Sequence, residues 1–169
     1  MRDYDLKKLL SNREIVDGKI KQFIADGILR KEKVSVEEMT GHLLKAEHNL
    51  NFVRDTLKAG YLDWAITGCY YACYQAVLAL ILTKGYSSKN HFATLCVLIK
   101  EFYGEGLNKE DIELISKFLD YQDVLFYVES KDKRERATYS TRTLYDKKEV
   151  ENLRIKAVLF VNKLKDIIK

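Results

Sequence analysis

A chain of 169 residues, 47% apolar and 32% charged, is long enough for one domain with its own core, and its composition excludes disorder. Lysine and arginine exceed aspartate and glutamate by only four, so charge alone marks no nucleic-acid binder. The charge is unevenly spread, at +2 over residues 1–60, −3 over 61–128 and +5 over 129–169, which places the basic character at the C-terminal end.

Proline is absent and the eight glycines fall mostly where helices would stop, so the sequence predicts an all-α fold. The opening "MRDYDLKKLL" has no apolar run of signal-peptide length, and the expected location is cytoplasmic. Ser11 with Glu14 forms a capping-box pattern, which predicts a helix running to about Asp26 with Gly27 behind it. Residues 1–34 are expected as an N-terminal helical arm, and 35–169 as the bundle. Ser35 and Glu38 repeat the capping pattern. The helix they open carries Met39, Leu43, Ala46, Leu50, Val53 and Leu57 at alternating spacings of four and three, the seam of a bundle helix.

"WAITGCYYACYQAVLALILT" follows, from Trp64 to Thr83, with no charge at all. Twenty apolar residues are about what a bilayer span requires. The tyrosines at 70, 71 and 74 stand mid-segment, whereas spans prefer them at the interfaces. The expectation is therefore a central core helix, apolar on all sides because its own bundle covers one side and a second subunit the other, with no membrane contact. Cys69 and Cys73 lie one turn apart but lack spaced His or Cys partners, so they read as packed, reduced thiols together with Cys96.

Ser87 or Ser88 is expected to cap a further helix bearing Phe92, Leu95, Ile99 and Phe102 on one face. "GEGLN" is a turn, and Asn108 caps a helix with Ile112, Ile115, Leu119, Gln122 and Phe126 in register. Residues 129–146, with many charges and weak periodicity, read as a loop, with a short helix in it as the alternative. Asp146 with Glu149 opens the last helix, with a seam of Val150, Leu153, Ala157, Phe160, Leu164 and Ile168. Together these predict an up-and-down four-helix bundle of segments 36–59, 64–84, 109–128 and 147–168.

The chemistry-bearing residues are few. His42 and His48 fall on opposite faces of one helix and are expected to face solvent, sharing no metal. His91, in "KGYSSKNH", starts a helix; with Lys84 and Lys89 it makes either an anion site on free backbone N–H groups or a capping or surface histidine. "KDKRERATYST" sets Arg134 and Arg136 beside Tyr139, either a phosphate fork with a stacking ring or a solvated charged loop. No Gly-rich phosphate loop, Gly-x-Ser-x-Gly or His-Glu-x-x-His occurs, and neither metal nor cofactor is expected.

The ordered set of these motifs resembles the HEPN domain family. Ala46, Asn49, Leu50 and Gly60 match its first long helix. Tyr70, Tyr71, Ala72 and Tyr74 match its Tyr-Tyr-Ala-x-(Tyr/Phe) core, and Lys84, Gly85 and His91 match the segment after it. Arg134, Ala137 and Tyr139 match a later Arg-x-x-Ala-Asp-Tyr motif, with Thr138 where Asp is usual. The resemblance spans about residues 40–165.

It implies a dimerising helical bundle, often paired as toxin or antitoxin with a minimal nucleotidyltransferase. It also implies, in active members, a metal-independent ribonuclease built on Arg, four to six residues, then His. Here no histidine follows Arg134 or Arg136, and Tyr139 stands near the expected position. A phenol of pKa about 10 is a poor base at neutral pH. The expectation is a nucleotide- or RNA-binding homodimer of weak or no catalysis, using Lys89, His91, Arg134, Arg136 and Tyr139. His91 is the one candidate for proton transfer. The alternatives are an active endoribonuclease toxin and a purely structural interaction module.

Overall fold

The computed structural model describes residues 5–127 and 146–169, for residues 119–127 as helical backbone only. In chain order the elements are α1 (Leu6–Ser11), α2 (Arg13–Ala25), β1 (Leu29–Lys31), α3 (Val36–Lys58), α4 (Leu62–Leu82), β2 (Tyr86–Ser88), α5 (His91–Phe102), α6 (Lys109–Tyr127) and α7 (Lys147–Ile168). The fold is all-α with one two-stranded sheet. The four long helices α3, α4, α6 and α7 correspond to the four segments that the seams define.

The helix ends follow local chemistry. Ser35 caps α3 by accepting from the Glu38 N–H at 3.2 Å. Asn108 and Asp111 cap α6 reciprocally, each side chain accepting from the other's backbone N–H at 3.0 and 2.8 Å. Asp146 stands at the N-cap of α7, where its side chain makes no capping bond.

The helix that carries the uncharged stretch is the axis of the molecule; Asp63 stands in its exposed first turn. α4 packs against α3, α7, α6, α5 and β2. Val77, Leu80 and Ile81 are each 0% exposed. Burying each such side chain contributes about 1.5–3 kcal/mol. α4 is long and apolar enough to cross a bilayer, yet 78% of its most apolar window is buried by its neighbours. Gly68 sets the closeness of α3 to α4: a Cβ there would stand 2.6 Å from Val53 Cγ2 and 3.0 Å from Phe52 Cδ1. On the α7 side Cys73 Sγ reaches within 3.9 Å of the Ala157 carbonyl.

The N-terminal residues pack chiefly on α5. Leu9, Val16, Ile20 and Leu29 are buried and join the same hydrophobic core as α4. The helix boundaries there differ from the sequence expectation. Asn12, not Ser11, caps α2, accepting from the Ile15 N–H at 3.2 Å. Ser11 is the last residue of α1 and donates its hydroxyl back to the Lys8 carbonyl. Two capping-type residues stand side by side here, and the side chain of Asn12 takes the cap while that of Ser11 bonds back into α1.

The second correction concerns Ser87 and Ser88. They form β2, pairing antiparallel with β1 in the register Leu29↔Ser88, Arg30↔Ser87 and Lys31↔Tyr86. Asn90 caps α5 instead, accepting from the Ala93 N–H at 2.9 Å. Three-residue strands are too short to show alternation. Gly85 permits the close pairing: its φ is +69°, and a Cβ would lie 2.8 Å from the Glu32 carbonyl oxygen. The Glu32 N–H donates to the Gly85 carbonyl at 2.9 Å.

Candidate functional site

His91 is the first residue of α5 and half-buried. Asn90 holds the capping role, so the histidine ring is left for other contacts. The Tyr70 hydroxyl stands 2.7 Å from His91 Nδ1 and 3.3 Å from Nε2, facing the ring edge between the two nitrogens. In the tautomer protonated at Nε2 the phenol donates to Nδ1. The imidazole also lies edge-on to the Tyr70 ring, with centroids 5.7 Å apart, and tilted over Tyr74 at 4.5 Å.

Tyr70 and Tyr74 are one turn apart on α4, and their rings stack at 5.7 Å. Tyr71 closes on Tyr70 from the side at 5.0 Å. The Tyr74 hydroxyl is 3.4 Å from Thr94 Oγ1, which in turn donates to the Asn90 carbonyl at 2.9 Å. Burial pushes the Tyr74 phenol upward from its ordinary value, with the Thr94 bond opposing the shift. It therefore stays protonated at neutral pH. Phe118, midway along α6, lies 6.4 Å from the Tyr70 ring. α6 thus returns along the side of α4 that holds the histidine.

The tyrosines in the middle of the apolar helix are what orient His91. The sequence shows that they lie mid-helix, but not that the α5 N-terminus crosses above them. Lys89, two residues before the histidine, is exposed. The structure sets Lys89 and His91 at one end of α5. Arg134, Arg136 and Tyr139 lie outside the described residues.

The other histidines divide. His48 is exposed, as expected. His42 is not solvent-facing but half-buried, with Nδ1 2.6 Å from Gln75 Oε1 on α4. The reason is the glutamine: a polar side chain inside the apolar helix needs a hydrogen-bond partner, and α3 supplies one. The three cysteines are buried free thiols. Burial pushes Cys69 and Cys96 up to about 12 and raises Cys73 well above its usual range. None is a nucleophile at neutral pH. Among the described residues no cluster of three His, Cys, Asp or Glu side chains could hold a metal ion.

A four-helix body around an apolar central helix, with a Tyr-Tyr-Ala-x-Tyr turn facing a histidine at the next helix start, defines the class. The chain belongs to the HEPN domain family, which it matches over residues 39–167. A protein of Methanocaldococcus jannaschii named "Putative toxin MJ0142" is 31% identical over 121 residues, covering 72% of this chain and 75% of its own length.

Proposed function

We propose that this protein is a nucleotide- or RNA-binding HEPN protein of a toxin–antitoxin pair, with a minimal nucleotidyltransferase as partner. It acts in the cytoplasm as a homodimer and is weak or inactive in catalysis. The observation that carries the reading is His91, held by the Tyr70 hydroxyl at 2.7 Å beside exposed Lys89. An imidazole fixed at a helix N-terminus, next to a cation, suits a phosphate oxygen. Arg134 and Arg136 would add the phosphate fork and Tyr139 a stacking ring. Weak catalysis follows from the sequence, because no histidine stands at the required spacing after either arginine.

The test is equilibrium binding of an oligouridylate and of adenosine monophosphate across a salt titration. Arg134→Ala should weaken binding more at low salt than at high salt, because phosphate contacts release counterions. His91→Ala should weaken it modestly and abolish residual cleavage. Equal binding by wild type and Arg134→Ala at every salt concentration would rule the site out and favour the interaction-module reading. The toxin name of the archaeal relative favours a second reading, an active endoribonuclease. Growth arrest on expression, relieved by His91→Ala, would establish that reading instead.

A further inference from the structure

A groove runs between α6 and α7. Two open hollows of about 390 and 350 Å³ lie along it and share Leu114, Lys117 and Lys156. The first continues to Glu110 and Lys163, the second to Ile66 and Glu149. The helices are antiparallel here, since Asp111 near the start of α6 accepts from Lys163 near the end of α7. From Glu149 to Lys163 the lining follows α7 for about 21 Å, at about 1.5 Å per residue. Val150 and Phe160 are buried beneath it, and Leu114 and Leu153 are half-buried. Leu159, on the rim, is 64% exposed.

The charges along the groove are ordered. Lys163 is taken by Asp111, and Glu113 by Lys109 at 3.5 Å. Glu110, Lys117, Glu149 and Lys156 are exposed and make no ion pair among the described residues. A carboxylate thus stands at each end, and the two lysines face the middle from opposite walls. This order selects the occupant. A polyanion lying along the groove would meet Glu110 and Glu149 at its ends. A second copy, placed by a two-fold axis through the middle, would set lysines against lysines. A small molecule would stay largely wet, because the hollows are open and not enclosed. A helix with an apolar stripe, carboxylates at its centre and cations at its ends meets every feature.

We propose that the α6–α7 groove docks such an amphipathic helix from a partner protein. Leu114, Leu153 and Leu159 take its apolar stripe, and Lys117 and Lys156 take its central carboxylates. The inference goes beyond the nucleotide- or RNA-binding reading and does not rest on it, since none of these residues belongs to the His91 site. The apolar contact provides the affinity, and the charge order fixes the register of the docked helix.

The experiment uses two labelled, stapled helical peptides of about 14 residues, the length of the groove. Both carry a leucine stripe at spacings of three and four. One has glutamates at its centre and lysines at its ends; in the other these charges are exchanged. In anisotropy titrations at low salt, wild type should bind the glutamate-centred peptide about ten-fold more tightly than the exchanged one. Lys117→Glu/Lys156→Glu should invert that preference, and Leu159→Asp should weaken binding of both peptides. All three positions are exposed, and an unchanged thermal midpoint would show each fold intact. Equal binding of the two peptides by wild type, binding of neither, or a preference unchanged in the double variant overturns the inference. A dimer in light scattering that Leu159→Asp dissociates makes the groove a face between copies and overturns it too. So does oligouridylate binding that the double lysine variant abolishes, which makes the groove a nucleic-acid surface.

Discussion

The body formed by α3, α4 and α7 and the ribbon that joins the N-terminal segment to α5 are held by different forces. In the body, most of α4 is buried by its neighbours, and Gln75 within it meets His42 of α3. The ribbon has little apolar surface to hide. It is held by backbone pairing, by Lys31 over Tyr86, by the buried Leu29 and, nearby, by the ion pair of Asp17 with Lys100 at 2.8 Å. Dense burial gives the body its stability, whereas the ribbon leaves Arg30, Lys33, Lys84 and Lys89 exposed to solvent. The comparison teaches that exposed charge gathers where packing contributes least.

The largest expected effect breaks the body. Leu80→Ala removes a side chain that is 0% exposed and should lower unfolding stability by about 2–5 kcal/mol, read by chemical denaturation. A change under 1 kcal/mol would mean that α4 is not the tightly packed axis described. Gly68→Ala tests closeness rather than volume. Its new methyl meets Val53 Cγ2 at 2.6 Å, so α3 must shift, at a cost of about 1–3 kcal/mol.

Gly85→Ala moves the test to the ribbon. The residue sits at φ +69°, a conformation that costs an L-residue about 1–2 kcal/mol, and its Cβ would press on the Glu32 carbonyl. The loss should be local. Hydrogen exchange should quicken at the Glu32 amide while amides of α4 keep their protection. Uniform loss of protection would show that ribbon and body unfold as one unit.

Thiol labelling sharpens the contrast without mutation. With Cys69 and Cys96 raised to about 12 and all three thiols buried, iodoacetamide at pH 8.5 should leave the folded protein unmodified and label three cysteines in denaturant. Rapid labelling of the folded state would contradict the sealed core.

The smallest effect is the Asp17–Lys100 pair. The Lys100 ammonium beside Asp17 holds its carboxyl below the ordinary value of 3.8. A carboxyl lowered on folding stabilises fully above pH 3.8, and that contribution is lost as pH falls through the lower folded value. Asp17→Asn should remove this acid-side dependence. Its cost at neutral pH should stay below about 1 kcal/mol, since the Asp17 side chain is 37% exposed and solvent screens the pair. Identical acid unfolding curves for the two proteins would show that the pair adds nothing.

The sequence by itself determined the all-α class, the four long helices and the burial of α4. Spacings of three and four can satisfy only one period, and an uncharged stretch with tyrosines in its middle, flanked by apolar seams, fits a core better than a bilayer. It also determined the family, because motif order survives in sequence. Tertiary structure alone decided the rest. β1 and β2 are three residues each and meet across the whole of α3 and α4, so no local signal announces them. The choice of Asn90 over Ser87 or Ser88 as cap followed from that pairing, since backbone in a ladder is unavailable to start a helix. The partners of His42 and His91 are Gln75 and Tyr70, each on another helix, and their distances depend on how α3 and α5 cross α4. Periodicity says which face of a helix is buried. It does not say which residue of the neighbouring helix arrives opposite, because that is fixed by the packing of the whole core.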